Sequence, residues 1–388
     1  MSNPYDPQSP AKPDYFGGRK HILHVAKERI EKAIEQKQSG GILVFGHRGV
    51  GKTSLVNKII SLTKIEEKDE NRLTIYRRLS KTTSDNELYQ IITEDLVEEI
   101  NHRKNIVDKA KDIAKTITSA KAFEIEFTIS EEFKQKSAFH KWRTLIRTLK
   151  GVEFILVAID DADNLSHEAL GELKTIIEEQ NATPVILVVS GGIEFESKLV
   201  EEYSPIARVF SGASFNLGEF TLEETKEVLE KPLKNNPTVR WTNDGILEVQ
   251  TLSRGYPYLV QCLAHASFIE NGTIDRKRVA DSLDAALKLG SPWLNHELKS
   301  ASDTDIGCFL KIIDLNLDIL KNSDMAKVGV QPVYIGRLVK LKVVEQISRG
   351  RYKLIKPPIV AFYHSLKRGL LPAINRKGMQ SKLSAEIK

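Results

Sequence analysis

The sequence predicts an α/β chain: a parallel sheet covered by helices on both faces, then a small helical lid, then a C-terminal winged helix-turn-helix. Three observations predict it. Short, near-continuous apolar runs alternate with stretches of helical period through the first 220 residues, as strands buried on both faces do. From Leu222 to Leu289 the period is helical throughout. Near the end, three helical stretches precede two short strand-like stretches joined by an Arg-Gly turn, a hairpin signature.

At 388 residues the chain exceeds the roughly 250 to 300 that one core fills, so two or three domains are expected. An apolar fraction of 41% and a charged fraction of 28% are those of a folded globular chain, which excludes long disorder except at the ends. Cys262 and Cys308 are the only cysteines and fit no Cys-x-x-Cys spacing. That excludes a disulfide framework or structural zinc site and fits a reducing cytoplasm. The nine histidines form no metal spacing, and Trp142, Trp241 and Trp293 read as core or lid residues. The start of the chain has no apolar signal region, and runs such as "FILVAI" are about a third of a membrane span, so no membrane is expected. The net charge of +5 is unevenly placed. Residues 331–388 carry thirteen Lys or Arg against Glu345 and Glu386, a local +11 that leaves the preceding residues at −6. A basic end on an acidic body is either a solvated tail or the footprint of a nucleic-acid-binding module.

The first twenty residues hold four prolines and read as an extended lead-in. "KHILHVAKERIEKAIEQ" follows with Ile22, Val25, Ile30 and Ile34 at helical spacing. The apolar run from Gly41 to Phe45, a glycine loop and "TSLVNKIISL" then spell strand, loop, helix. Further strands are expected at Leu73 to Leu79, Val152 to Asp160, Pro184 to Ser190 and near Phe215, with helices at Asn86 to Ile100 and Ser166 to Glu179. Residues 102–135 interrupt the pattern, and the alternation of Phe123, Ile125 and Phe127 reads as an inserted hairpin or edge strand. Lid helices are expected at Leu222 to Leu229, Asp244 to Ser253, Tyr256 to Phe268 and Arg276 to Leu289, followed by a seam over 290–302. The last domain should hold helices at Asp303 to Leu315, near Ser323 to Lys327 and at Pro332 to Lys342, then strands Val344 to Ser348 and Arg351 to Ile355. The expected division is therefore a sheet domain with its lead-in over 1–220, a lid over 221–292, a winged helix over 303–370 and a basic tail over 371–388.

"GHRGVGKT" fits G-x-x-x-x-G-K-[ST] in full, between a strand and a helix as that motif requires. Gly46, Gly49 and Gly51 let the backbone turn its N–H groups inward around a phosphate chain; His47, Arg48, Val50 and Ser54 complete the loop. Lys52 would reach the β- and γ-phosphates, and Thr53 would offer its hydroxyl to Mg²⁺ at the positive end of the following helix. "FILVAIDDADNL" supplies the partner: Asp160 at the strand's carboxyl edge to hold Mg²⁺, and Asp161 beside an attacking water. Asp is a shorter residue than the Glu many such enzymes place there, which implies a longer reach and slower turnover.

These motifs resemble the AAA+ and STAND group of P-loop ATPases, in particular the archaeal-type and origin-recognition-like ATPases with a C-terminal winged helix. "NPYDPQSPAKPDYFGGR", "VILVVSGG", "SPIARVFSGASFNLGEF" and "TLSRGYPYLVQCLA" carry the resemblance alongside the two motifs, over about residues 3 to 268 and on to about 368 through the wing. It implies a P-loop NTPase sheet that binds ATP or ADP with Mg²⁺. It further implies that Phe16, Gly18 and Arg19 line an adenine pocket, where the bare residues allow an ordinary turn. Ser190 falls at the family's sensor position or is a strand-end cap, and Arg208 is either an arginine finger for a neighbouring copy in an ATP-dependent homo-oligomer or a surface ion-pair residue. Initiator-type members carry an arginine on the lid helix where this chain has Tyr258; Gly255-x-Pro257 instead resembles the STAND signature, which implies that Pro257 binds the nucleotide and that the lid couples nucleotide state to rearrangement of the C-terminal domain.

In the winged helix, Tyr334, Arg337 and Lys340 are spaced to share a face of the recognition helix, and Arg349, Arg351 and Lys353 decorate the wing. The face either neutralises the phosphates of double-stranded DNA or contacts a protein. The expectation is a cytoplasmic, Mg²⁺-dependent, slow ATPase acting as a switch on DNA; the alternative is a STAND-like signalling or defence scaffold that assembles on ATP.

Overall fold

The computed structural model describes residues 3–63, 71–80, 82–102, 137–149, 151–179, 183–202, 207–315, 317 and 319–370. The insertion expected at 102–135 and the tail expected at 371–388 lie outside the described residues, apart from residue 102. The chain divides into two compact units, Ala11–Gly218 and Met1–Pro10 with Glu219–Lys388.

The first unit is built on five parallel strands: β1 (Gly40–Gly46), β2 (Arg72–Arg78), β3 (Phe154–Asp160), β4 (Val185–Gly191) and β5 (Ser214–Leu217). Their order is β2-β3-β4-β1-β5, and every pairing is parallel. Every residue of β1, β3 and β4 is buried, which explains their unbroken apolar sequences. Each fully buried Ile, Leu or Val there contributes about 1.5 to 3 kcal/mol against conformational entropy. The helices are α1 (Lys20–Gln36), α2 (Lys52–Ser61), α3 (Asp85–His102), α4 (Ala138–Thr148), α5 (His167–Glu178) and α6 (Ile193–Glu202). Leu88, Tyr89 and Ile92 of α3 and Trp142 and Leu145 of α4 join Leu73, Ile75, Ile155 and Val157 in one apolar cluster. Helix α1 buries Ile22, Ala26, Ile30 and Ala33, so alanines take two positions that the apolar spacing assigns to Val25 and Ile34. Because β1 lies between β4 and β5 while the chain leaving it returns at the far edge, the loop after β1 opens at a switch in strand order, where open α/β sheets bind ligands.

The second unit continues with α7 (Leu222–Glu230), β6 (Val239–Trp241), α8 (Asn243–Ser253), α9 (Pro257–Ser267), β7 (Gly272–Ile274), α10 (Arg276–Asp281) and α11 (Leu283–Leu294). The single helix expected from Arg276 is two, broken at Ser282, whose hydroxyl bonds Val279 O at 2.9 Å and lies 2.7 Å from Ser267 Oγ. The expected seam at 290 starts later, since α11 runs through Pro292 to Leu294. The lead-in is split between the units: Tyr5 packs edge-on to Trp241 with centroids 6.3 Å apart and bonds Leu229 O, and Asn3 Nδ2 donates to His265 O at 2.9 Å.

The remaining elements are α12 (Asp303–Ile313), β8 (Ile319–Lys321), α13 (Asn322–Lys327), α14 (Pro332–Lys340), β9 (Val344–Ser348), β10 (Arg351–Leu354) and α15 (Pro358–Lys367). The three helices and the hairpin expected here are present, followed by a further helix that apolar spacing alone did not single out. Strand β8 adds to the expected hairpin, giving the antiparallel order β8-β10-β9. No helix among the described residues is long and apolar enough to cross a membrane.

Candidate nucleotide site

Strand β1 delivers Gly46 to the carboxyl edge of the sheet, and the chain must turn at once to enter α2. Gly46, Gly49 and Gly51 have φ of 151°, 86° and 91°, a region side chains rarely adopt. At Gly46 a Cβ would lie 2.7 Å from Leu217 O, so the position tolerates no side chain. Over Gly51 there is open space within 4 Å. No side chain caps the N-terminus of α2, which leaves its first N–H groups for an anion. Lys52 Nζ donates to Gly46 O at 2.8 Å and His47 O at 3.2 Å. Burial pulls the Lys52 ammonium below the ordinary lysine range, against the opposing charges of Asp161, Asp163 and Asp160.

Opposite the loop, Asp160 ends β3 with no exposed surface. Its Oδ2 accepts from Thr53 Oγ1 at 2.6 Å and Tyr76 OH at 3.2 Å, and its Oδ1 accepts from Ser190 Oγ at the end of β4. A buried carboxylate needs such donors. Burial and the neighbouring Asp160 charge push the Tyr76 phenol up to about 12, so it stays a donor. Ser190 Oγ also accepts from the Asp161 N–H at 3.3 Å, linking the two acids. Asp161 sits at φ 57° and pairs with Arg78, whose Nε donates at 2.7 Å. Asp163 Oδ1 accepts from Gly192 N at 2.6 Å, tying the turn after β3 to the end of β4.

Gly46 to Thr53, Asp160, Asp161 and Ser190 thus meet at one sheet edge. Ser54 Oγ accepts from Ala11 N at 3.0 Å, and Val50 is buried. Phe16 is buried, Gly18 has φ 76°, and Arg19, at φ 57°, donates to Gly218 O. Arg208 is exposed at the start of a single turn, Arg208–Phe210. Pro257 belongs to the second unit, where it is buried at the first position of α9. The preceding Gly255 has a cause within that unit: a Cβ would meet Phe220 O at 2.1 Å. Tyr258 donates its hydroxyl to Leu289 O at 3.2 Å.

Sequence reasoning did not single out Tyr76, Arg78 and Asp163. Tyr76 and Arg78 reach the acids because β2 pairs with β3, Arg78 standing in register with Asp160. The signal available was two polar residues at alternate positions ending a strand, "YRR", which identifies the neighbour only once strand order is known.

In the C-terminal region Arg337 forms a two-pronged pair with the wholly buried Asp305, at 2.8 and 2.7 Å, so its guanidinium is engaged within the protein. Tyr334 is half-buried; the exposed face of α14 is Val333, Gly336, Arg337 and Lys340. Arg351 and Lys353 are exposed and Tyr352 and Leu354 buried, as alternation on β10 requires, and Arg349 is exposed in the turn.

Residues 35–199 match the family described as AAA domain. No curated protein matches the chain in sequence. The ORC2 protein of Aeropyrum pernix, in its ADPNP-ADP complexes, superposes with a TM-score of 0.53 at 14% identity, over 90% of this chain and 94% of that one. The Aeropyrum pernix ORC1 protein in complex with DNA gives 0.48 at 13%, over 94% and 97%, and Cdc6p from Pyrobaculum aerophilum gives 0.46 at 12%, over 90% and 93%. At such identities the likeness is one of fold, and it rests on the ORC2 superposition. The phosphate loop, its acid partner, the domain match and that superposition agree: residues 35–199 match the AAA domain family, and the chain shares its fold with that ORC2 protein.

Proposed function

We propose that the first unit binds ATP and hydrolyses it slowly in a Mg²⁺-dependent reaction, and that its nucleotide state switches the binding of duplex DNA by the C-terminal winged helix. The observation that carries the nucleotide part is the 2.6 Å contact from Thr53 Oγ1 to Asp160 Oδ2, which joins the phosphate loop to a buried acid.

The donor set fits Mg²⁺. A hydroxyl and a carboxylate are hard oxygens, and this ion draws its other ligands from water and substrate phosphates, so Thr53 directly and Asp160 through the ion's water shell would hold it. Bound there, it would offset charge on the β- and γ-phosphates. Lys52 exchanges its two loop carbonyls for phosphate oxygens, and the triphosphate's charge restores the ammonium that burial disfavours. Ser190 holds Asp160 and Asp161 in fixed relation through its hydroxyl. Asp161 orients the attacking water only after it leaves Arg78, which supports slow turnover. Exposed Arg208 is available to the nucleotide of a neighbouring copy in an ATP-dependent homo-oligomer. Phe16, Gly18 and Arg19 take the adenine side.

The DNA part is supported by the local basic charge and the outward cations Lys340, Arg349, Arg351 and Lys353. Phosphate release and duplex binding, measured with and without ATP across a salt series, test it. The reading expects slow Mg²⁺-dependent release, affinity that falls steeply with salt, and a difference between the two nucleotide conditions. A second reading, an ATP-assembled scaffold whose winged helix contacts a protein, draws on Val333, 67% exposed on α14. It expects ATP-dependent assembly without DNA affinity.

A further inference from the structure

The second unit holds a cleft of about 580 Å³ between the turn after α11, the C-terminal end of α14 and the link from β10 to α15. Lys299, Lys340, Lys342, Lys356, His296 and the single carboxylate Glu297 line it, so its walls carry three more positive than negative charges with histidine neutral. Glu297 is taken by Lys356. Lys299, Lys340 and Lys342 form no ion pair among the described residues.

A helix C-terminus attracts cations, which accounts for Lys340 and Lys342 at the end of α14. It does not account for Lys299 and Lys356, which come from other segments. Lys342 also sits at φ 54°. Its N–H bonds Val339 O and the Val343 N–H bonds Leu338 O, both at 2.9 Å, a helix end that glycine makes without steric cost. Leu298, on the other wall, has φ 50°. Two side chains in a strained conformation thus frame three lysines that have no ion-pair partner among the described residues, and strain of this kind gathers at ligand sites.

We propose that this cleft is a phosphate-binding site, occupied by backbone phosphates of duplex DNA, and that it grips the duplex beside the outward face of α14. For its occupant the inference rests on the DNA reading given under Proposed function. Lysine ammonium groups from separate segments act as point charges on phosphate oxygens and carry no base preference, so the cleft adds affinity and salt dependence rather than sequence choice.

The test compares the full chain with Lys299→Ala/Lys342→Ala and Lys299→Arg/Lys342→Arg in binding a labelled duplex across a salt series. Because each neutralised phosphate contributes roughly 0.9 to the slope of log affinity against log salt, the alanine pair should lower that slope by about two and the arginine pair should keep it. Wild-type binding with a slope and affinity unchanged in the alanine pair overturns the cleft while leaving the DNA reading in place. Inorganic tripolyphosphate is titrated in parallel onto Lys52→Ala protein, with and without the alanine pair. If the wild type binds no duplex, the DNA reading falls. Tripolyphosphate binding that the alanine pair abolishes then sustains a phosphate site filled by a free polyanion, and its absence removes the site altogether.

Discussion

Arg78 at the end of β2 donates from Nε to Asp161 Oδ2 at 2.7 Å, holding the acid that the proposed reaction needs beside water. The arginine is 61% exposed and the aspartate 35%, so the pair is worth under about 1 kcal/mol and a nucleotide can displace it cheaply. Removing the clamp should therefore speed the reaction. Arg78→Ala is expected to raise the rate of ATP hydrolysis several-fold with little change in ATP affinity. Asp161→Asn should lower the rate by about 100-fold or more and cancel any gain from Arg78→Ala. A phosphate-release assay on the single and double variants checks this; a gain that survives Asp161→Asn removes Asp161 from the role.

Gly46→Ala should cost about 3 kcal/mol of stability in the first unit, because the new Cβ meets a backbone oxygen, Leu217 O, at 2.7 Å and the residue sits at φ 151°. Gly51→Ala meets no atom within 4 Å and pays only for φ 91°, so it should cost less. Urea unfolding of the two variants gives the comparison.

Arg337 acts on stability before it acts on any partner. Burial alone would raise the Asp305 carboxyl, but hydrogen bonds from Arg337 and Ser302 outweigh it and hold the group below the usual carboxylate range. A depressed folded-state value contributes stability above the unfolded-state pKa, about 3.9, and loses it as pH falls through the folded-state value. Arg337→Gln should thus move the acid-unfolding midpoint to higher pH. At neutral pH it should also lower stability, by less than the loss of a fully buried pair, because Arg337 is half-exposed. Circular dichroism against pH reads both effects.

The exposed face of β10 carries the complementary expectation. Arg351→Ala and Lys353→Ala remove exposed cations from a sheet whose buried side is Tyr352 and Leu354. Stability should change by less than about 0.5 kcal/mol, while the salt slope of duplex binding should fall by roughly one for each.

What was legible in the sequence was what is local. The loop from Gly46 to Thr53 and the acids after β3 are set by spacing within one strand-to-helix turn and by an apolar strand ending in charge. Tyr76 and Arg78 were not legible because their role depends on β2 pairing with β3, about eighty residues away, and no periodicity encodes strand order. The Arg337–Asp305 pair was hidden for the same reason: helical spacing gives the face of α14, not the neighbour from α12. At the start of the chain, four prolines read as a free lead-in, whereas Tyr5 is buried against Trp241 and Phe268.

The most direct measurement is equilibrium titration of ATP with Mg²⁺ onto the wild type and Lys52→Ala, with folding of both confirmed by their unfolding curves. The ammonium that meets Gly46 O and His47 O is expected to be the main charge on the triphosphate, so its removal should weaken binding by about 100-fold, or some 2.7 kcal/mol. Equal affinity in the two proteins would contradict the assignment of this loop as the nucleotide site.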